Sequence, residues 1–387
     1  MTMQDTIYFD NNATTAVAPE VVEAMLPFLK TLYGNPSSIH HFGGQVMAYV
    51  DKAREQLAGL LGAASSEIIF TSCGTESDNA ALRSAVFTQP KRTKIVISQI
   101  EHPAILNTAK DLERSGVTVA VIPVDEHGRL DMDFAKEEID ENTALVSVMW
   151  ANNEIGNIFP VRELAEMAHA KGALFHTDAV QAVGKVPINL ATDGIDFLSL
   201  SGHKLHAPKG VGALFVRRGI RFHPFVIGGH QENGRRAGTE NVASLVGLGA
   251  AAELAKANME KENTFVRSLR DTLEQGVVAA IKDVRVNGDV ANRLPNTTNI
   301  SFEYIEGESI LMLLDQFGIC ASSGSACTTG SLEPSHVLRA MALPYTAAHG
   351  AIRFSFSRYN TMDEVKFTLE KLPPIIARLR EISPYGK

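Results

Sequence analysis

Seven short runs of near-continuous apolar residues constrain this chain more than any other feature. They are "EIIFTS" (67–72), "KIVIS" (94–98), "TVAVIPV" (118–124), "ALVSVMW" (144–150), "ALFHT" (173–177), "DFLSLS" (196–201) and "GALFVR" (212–217). Strict alternation would mark strands with one wet face. Runs that stay apolar suit strands buried on both faces of a mostly parallel sheet. Longer amphipathic stretches such as "ESDNAALRSAVF" and "VRELAEMAHAKG" lie between them and read as crossover helices. The pattern predicts an α/β domain around a mostly parallel seven-stranded sheet.

From about Asn241 the chain reads as a long helix, apolar first and charged later. "NTTNISFEY", "GICASS" and "AIRFSFSRY" then read as strands of a smaller α+β domain. The expected division is a large domain over residues 16–258 and a small one over 1–15 and 259–387. A formal charge of −8 argues against general nucleic-acid binding. No apolar run approaches the roughly 18–20 residues of a membrane span. The start, "MTMQDTIYFDNN", lacks the basic and apolar regions of a signal peptide. Cytoplasmic residence is the expectation. Cys73, Cys320 and Cys327 cannot make a disulfide framework, and no Cys/His spacing suggests structural zinc.

In open α/β sheets ligands bind beyond the carboxyl ends of the strands, and here nearly every such end carries a polar cluster. "EIIFTS" runs into Cys73-Gly74-Thr75-Glu76-Ser77, "KIVIS" into Glu101-His102-Pro103, and "ALVSVMW" into Asn152-Asn153-Glu154. "ALFHT" runs into Asp178 and Gln181, and "DFLSLS" into Gly202-His203-Lys204. Gly74-Thr75, before an apparent helix, offers backbone N–H groups to an anion, although an ordinary helix cap would look the same. Gly184-Lys185 lacks the spacing of a P-loop, and no G-x-G-x-x-G follows an early strand. Asp178 could cap a turn or hold a proton on a heterocycle nitrogen; His102 alone reads more readily as a structural histidine. A lysine at the mouth of a buried strand is harder to explain. It must lose about three pKa units, roughly 4 kcal/mol, to act as an amine near neutrality, unless an imine removes the problem. A phosphate anchor, a ring-nitrogen acid, a histidine and a lysine together describe a pyridoxal phosphate site.

"SLSGHKLHAPKG", "FHTDAVQAVGK", "MWANNEIG", "EHPA", "CGTESDN" and "SSGSACTTGSLEPSHVLRAM" jointly resemble the NifS-type cysteine desulfurases. These are pyridoxal phosphate enzymes of fold type I, the aspartate-aminotransferase fold. The similarity runs from "YFDNNATT" to "RFSFSRYNT". "LHAPKG", "LPYTAAHGAIRFS" and "SPYGK" resemble the nitrogenase-associated branch more than the housekeeping one.

The resemblance implies that Lys204 carries the cofactor, Asp178 pairs with its ring nitrogen and Gln181 bonds its phenolic oxygen. His102 would stack on the ring and shuttle protons, and Asn153 would contact the cofactor. Gly74, Thr75, Ser201 and His203 would cradle the phosphate, joined by Thr239 from a partner subunit, which implies a homodimer. Arg353, assisted by Asn35, would hold the substrate carboxylate; taken alone, Arg353 reads equally as an inter-domain ion pair. Cys327, in a loop of small residues, would take sulfur from L-cysteine as a persulfide, leaving L-alanine. That sulfur would pass to an iron–sulfur scaffold protein, with Cys327 a transient iron–sulfur ligand through its persulfide. Neither membrane nor direct nucleic-acid contact is expected. Cys320 reads as a packed thiol and Cys73, beside the phosphate loop, as a small filler. An aminotransferase would need no Cys327, selenocysteine lyase activity is chemically adjacent, and a non-catalytic sulfur carrier or interaction protein would leave the strand-end cluster unexplained.

Overall fold

A mixed sheet of seven strands forms the centre of the molecule, in a computed structural model that describes residues 6–323 and 334–384. Numbered along the chain, the strands are β1 (Ile7–Tyr8), β2 (Ile68–Thr71), β3 (Lys94–Ser98), β4 (Thr118–Ile122), β5 (Thr143–Ser147) and β6 (Leu174–Asp178). They continue with β7 (Phe197–Ser201), β8 (Gly212–Val216), β9 (Val284–Asn287), β10 (Thr297–Phe302), β11 (Ile319–Cys320) and β12 (Ala351–Ser355). The large sheet has the order β2-β8-β7-β6-β5-β3-β4. Its strands run parallel except β8, which is antiparallel to both β2 and β7.

All seven apolar runs are strands of this sheet. Every residue of β5, β7 and β8 is buried, as expected where helices cover both faces. β4 differs: it is one of the two sheet edges, with Thr118 and Val121 exposed, whereas the other edge, β2, is buried throughout. The apolar composition of β4 did not distinguish an edge from a centre. No described helix is long and apolar enough to cross a membrane.

The expected long helix is Val242–Ala257, which ends at Asn258 and resumes as Met259–Lys261, a π-helical turn Glu262–Val266 and the helix Arg267–Ala280. Buried Glu262 in the π turn faces Arg358, with Nη1 3.4 Å from Oε1. A second sheet, β12-β10-β9, is antiparallel. β1 and β11 form a parallel pair. Two main cores result. One packs helices on the large sheet and also takes in Val337, Leu338, Met341 and Ala348. The other gathers Phe9, Leu269, Leu273, Phe302, Phe354 and Leu372 around the smaller sheet. Residues 10–16 pass between the cores. Asn11 N–H donates to Ser355 O at 3.2 Å, and Thr15 N–H to His203 O at 3.0 Å.

Candidate active site

The carboxyl ends of β2, β3, β5, β6 and β7 open on one cavity of about 350 Å³. Its wall includes Gly74, Thr75, His102, Asn153, Asp178, Gln181, Ser201, His203, Lys204 and Arg353. Two expected residues lie elsewhere in this chain. Asn35 is exposed, its Oδ1 accepting from Ser37 N–H at 2.9 Å. Thr239 lines a separate cavity of about 60 Å³ beside Arg236. Cys327 lies outside the described residues.

Lys204 reaches the cavity because β7 ends in a single 3₁₀ turn, Gly202–Lys204. Gly202 makes the turn possible: a Cβ there would stand 2.8 Å from Val211 Cγ1 and 3.1 Å from Val211 O. Lys204 Nζ donates to Ala13 O at 2.7 Å and to Asn12 O. Burial pushes its pKa down to about 7, helped by the charges of Arg353 and Lys185. Its neighbour His203 bonds Thr14 Oγ1 through Nδ1 at 3.0 Å, and burial pushes it down to about 4.

His102 caps the helix Pro103–Arg114. Its Nδ1 accepts from Ala104 N–H at 3.1 Å, so the neutral ring carries its proton on Nε2. Burial, with Lys204, holds its pKa below the ordinary value. Asp178, the last residue of β6, accepts from Val180 N–H at 2.9 Å, and burial raises it. Behind it stands Asp78, on the helix Gly74–Thr88. Polar atoms of Asp78, His102 and Asp178 all lie within 4.8 Å of one another. These are metal-ligating residue types, but in the neutral ring of His102 one nitrogen accepts a backbone proton and the other bears its own. Neither has a lone pair to spare for a cation.

Arg353, on β12, donates from Nη1 to Asn153 O at 2.9 Å and from Nη2 to Asp10 Oδ1 at 2.7 Å. Its Nε is buried with no partner. Arg353 is thus both an ion pair and part of the cavity wall. Cys73 also faces the cavity, so it is not an interior filler. Cys320 pairs with Tyr8 in the β1–β11 ladder, and burial raises its thiol.

Sequence reasoning assigned no task to Glu101, Glu154 or Asp78. Glu101 accepts from Ser98 Oγ at 2.5 Å and Met149 N–H at 2.9 Å, and burial pushes it up to about 8. Glu154 accepts from the Ser335 hydroxyl and is pushed up to about 7. Both follow strand ends and were visible there as polar residues. Asp78 follows no strand, and its place in "ESDN" looks like any helical aspartate.

The residues fit pyridoxal phosphate. At the start of the helix Gly74–Thr88, a Cβ on Gly74 would stand 2.7 Å from Val180 Cγ2. A bare backbone there leaves N–H groups open to an anion. Gln181 donates to Asn12 O at 3.0 Å while its Oε1 is buried without a partner. An acid stands ready for a ring nitrogen, and an amine that titrates near neutrality for an aldehyde.

Residues 7–367 match the family described as Aminotransferase class-V. A cysteine desulfurase of Trichormus azollae is 60% identical over 379 residues, covering 98% of this chain and 95% of that protein. The cysteine desulfurase NifS of Azotobacter vinelandii is 58% identical over 380 residues, covering 98% and 94%. Among solved structures, a NifS-like protein has a TM-score of 0.91 at 39% identity, covering 97% of this chain and 100% of that one.

Proposed function

Because this chain belongs to the class-V aminotransferase family and is a pyridoxal-phosphate-dependent cysteine desulfurase, we propose that the strand-end cavity is where L-cysteine loses its sulfur. Bound there, pyridoxal phosphate supplies an electron sink for charge developing at the substrate α-carbon. Lys204 would hold the cofactor and, as a free amine, would take the substrate α-proton. A pKa near 7 makes it a competent base at neutrality. Asp178 keeps a proton at the ring nitrogen. His102 covers the ring and presents its Nε2–H to the reacting groups. Gln181 and Asn153 orient the cofactor, and Gly74, Thr75, Ser201 and His203 hold its phosphate.

Arg353 takes the substrate carboxylate in the bidentate geometry that suits guanidinium, without Asn35, whose side chain stands outside the cavity. The carbonyl of Asn153 fixes the plane of that guanidinium. Cys327 thiolate attacks the substrate sulfur. A sulfur–sulfur bond forms as the Cβ–S bond breaks, the electron pair stays with the carbon fragment, and protonation gives alanine. The outer sulfur of the Cys327 persulfide then passes to an iron–sulfur scaffold protein, the persulfide having served transiently as a cluster ligand. The likeness to NifS supports a place in nitrogen-fixation cluster assembly. Thr239 completes the phosphate site of a second copy, making the working form a homodimer in the cytoplasm. The chain divides at 15/16 and 258/259.

The observation that carries this reading is a lysine lowered toward neutrality in one cavity with Asp178 and His102. Borohydride reduction of the loaded protein should place the coenzyme on Lys204 by mass spectrometry. Cys327→Ala should keep the yellow cofactor while losing sulfide and alanine formation from L-cysteine. Full desulfuration by that variant would refute the nucleophile assignment.

A further inference from the structure

Asp78 has no task in the reaction above, yet it is 1% exposed and stands on the cavity wall. Its Oδ1 has no hydrogen-bond partner. Among the described residues that face it, none is a lysine or arginine. From β6 come Asp178 and His176, whose Nε2 is 3.7 Å from Asp78 Oδ1. His176 is neutral: burial pushes it down to about 3, and its two nitrogens meet Ser147 Oγ at 2.8 Å and Ser199 Oγ at 3.0 Å. From β7 comes Ser199, whose hydroxyl favours the ionised form of Asp78. Glu101 and His102 approach from the loop after β3, and Cys73 from the start of its own helix.

Two buried carboxyls within 4.8 Å of each other, with no fixed cation beside the inner one, cannot both ionise at ordinary cost. The protons then belong to the pair rather than to either residue. We propose that Asp78 and Asp178 share one proton in the cofactor-free protein, and that this pair, not solvent, provides the proton carried by the ring nitrogen of bound pyridoxal phosphate. The inference rests on the cavity being the cofactor site. An O–H bond of the pair breaks and an N–H bond forms. The pair goes from one negative charge to two, the ring from neutral to one positive. Net charge is unchanged, so the buried site takes up no ion from water. Asp78 is on this account a positioning residue, acting through Asp178.

The test is proton uptake when pyridoxal 5'-phosphate binds the cofactor-free protein. It is measured calorimetrically in two buffers of unlike ionisation heat, at a mildly alkaline pH where the free ring nitrogen is unprotonated. Asp78→Asn keeps the shape and removes the proton store, so it should take up about one proton more per site than the unaltered protein. Contributions from the phosphate and Lys204 are common to both and cancel. Equal counts overturn the proposal. If Asp78→Asn does not fold, carbon NMR of the unaltered, aspartate-labelled protein decides. One aspartate carboxyl should be protonated at neutral pH and should ionise on adding the coenzyme; ionisation of every aspartate beforehand overturns the pair. A borohydride adduct away from Lys204 would instead remove the cofactor site itself, whatever the proton count.

Discussion

Lys204 should be the fastest-acylated amine of the cofactor-free protein near neutrality. Its pKa falls from the ordinary 10.5 to about 7. The neutral fraction at neutral pH therefore rises from about one in three thousand to about one in two, a gain of roughly 10³-fold. Put as free energy, the folded environment disfavours the ammonium by about 5 kcal/mol. Burial is the largest cause, and the charges of Arg353 and Lys185 come next. A small acylating reagent at limiting concentration, followed by peptide mass spectrometry across a pH series, measures the midpoint directly. Lys204 should half-saturate at about 7. Lys185→Met should move the Lys204 midpoint upward, because it removes one buried positive charge. A Lys204 midpoint that stays near the ordinary 10.5 would refute the burial argument, and with it the free base assigned to the reaction.

Other outcomes follow from the same geometry. Arg353→Lys should raise KM for L-cysteine by about 10- to 100-fold, since an ammonium cannot reproduce a bidentate guanidinium; the visible spectrum of the cofactor should be retained, and steady-state kinetics read the difference. Gly74→Ala places a Cβ 2.7 Å from Val180 Cγ2 and should weaken coenzyme binding by about tenfold or more through the displaced helix start. Equilibrium dialysis measures this, and adding Val180→Ala should recover most of the loss. His169 donates to Asp196 at 2.8 Å and its pKa is raised. Its stabilisation is present below the unfolded value of about 6.5 and is lost as pH rises through the higher folded value. Thermal unfolding across that window should show the decline, and His169→Gln should flatten it.

What could be read beforehand follows from where each element gets its order. The seven strands were legible because burial on both faces writes an apolar run into the sequence. β1 and β9, of two and four residues, depend on distant partners and leave no such mark. Lys204, Asp178 and His102 were legible because polar residues cluster where an apolar strand stops. Asp78 was not, since only the packing of its helix beneath β6 and β7 sets it beside Asp178. Asn12 and Ala13 meet Lys204 through their carbonyls, which every residue possesses, so no side-chain pattern could announce them.

The strip at residues 10–16 has a consequence for biosynthesis. It leaves the ribosome well before its anchors at His203 and Ser355 are translated. At about 5–20 residues per second, the interval before Ser355 exists is tens of seconds. During that time the strip is held at its far end, by His203 and His206, and Arg353 has yet to meet Asp10. Nascent chains halted before β12 should therefore bury much of the large sheet yet fail to retain coenzyme. Catalytic competence arrives as a late event in the life of each molecule, when residues 10–16 finally meet β12.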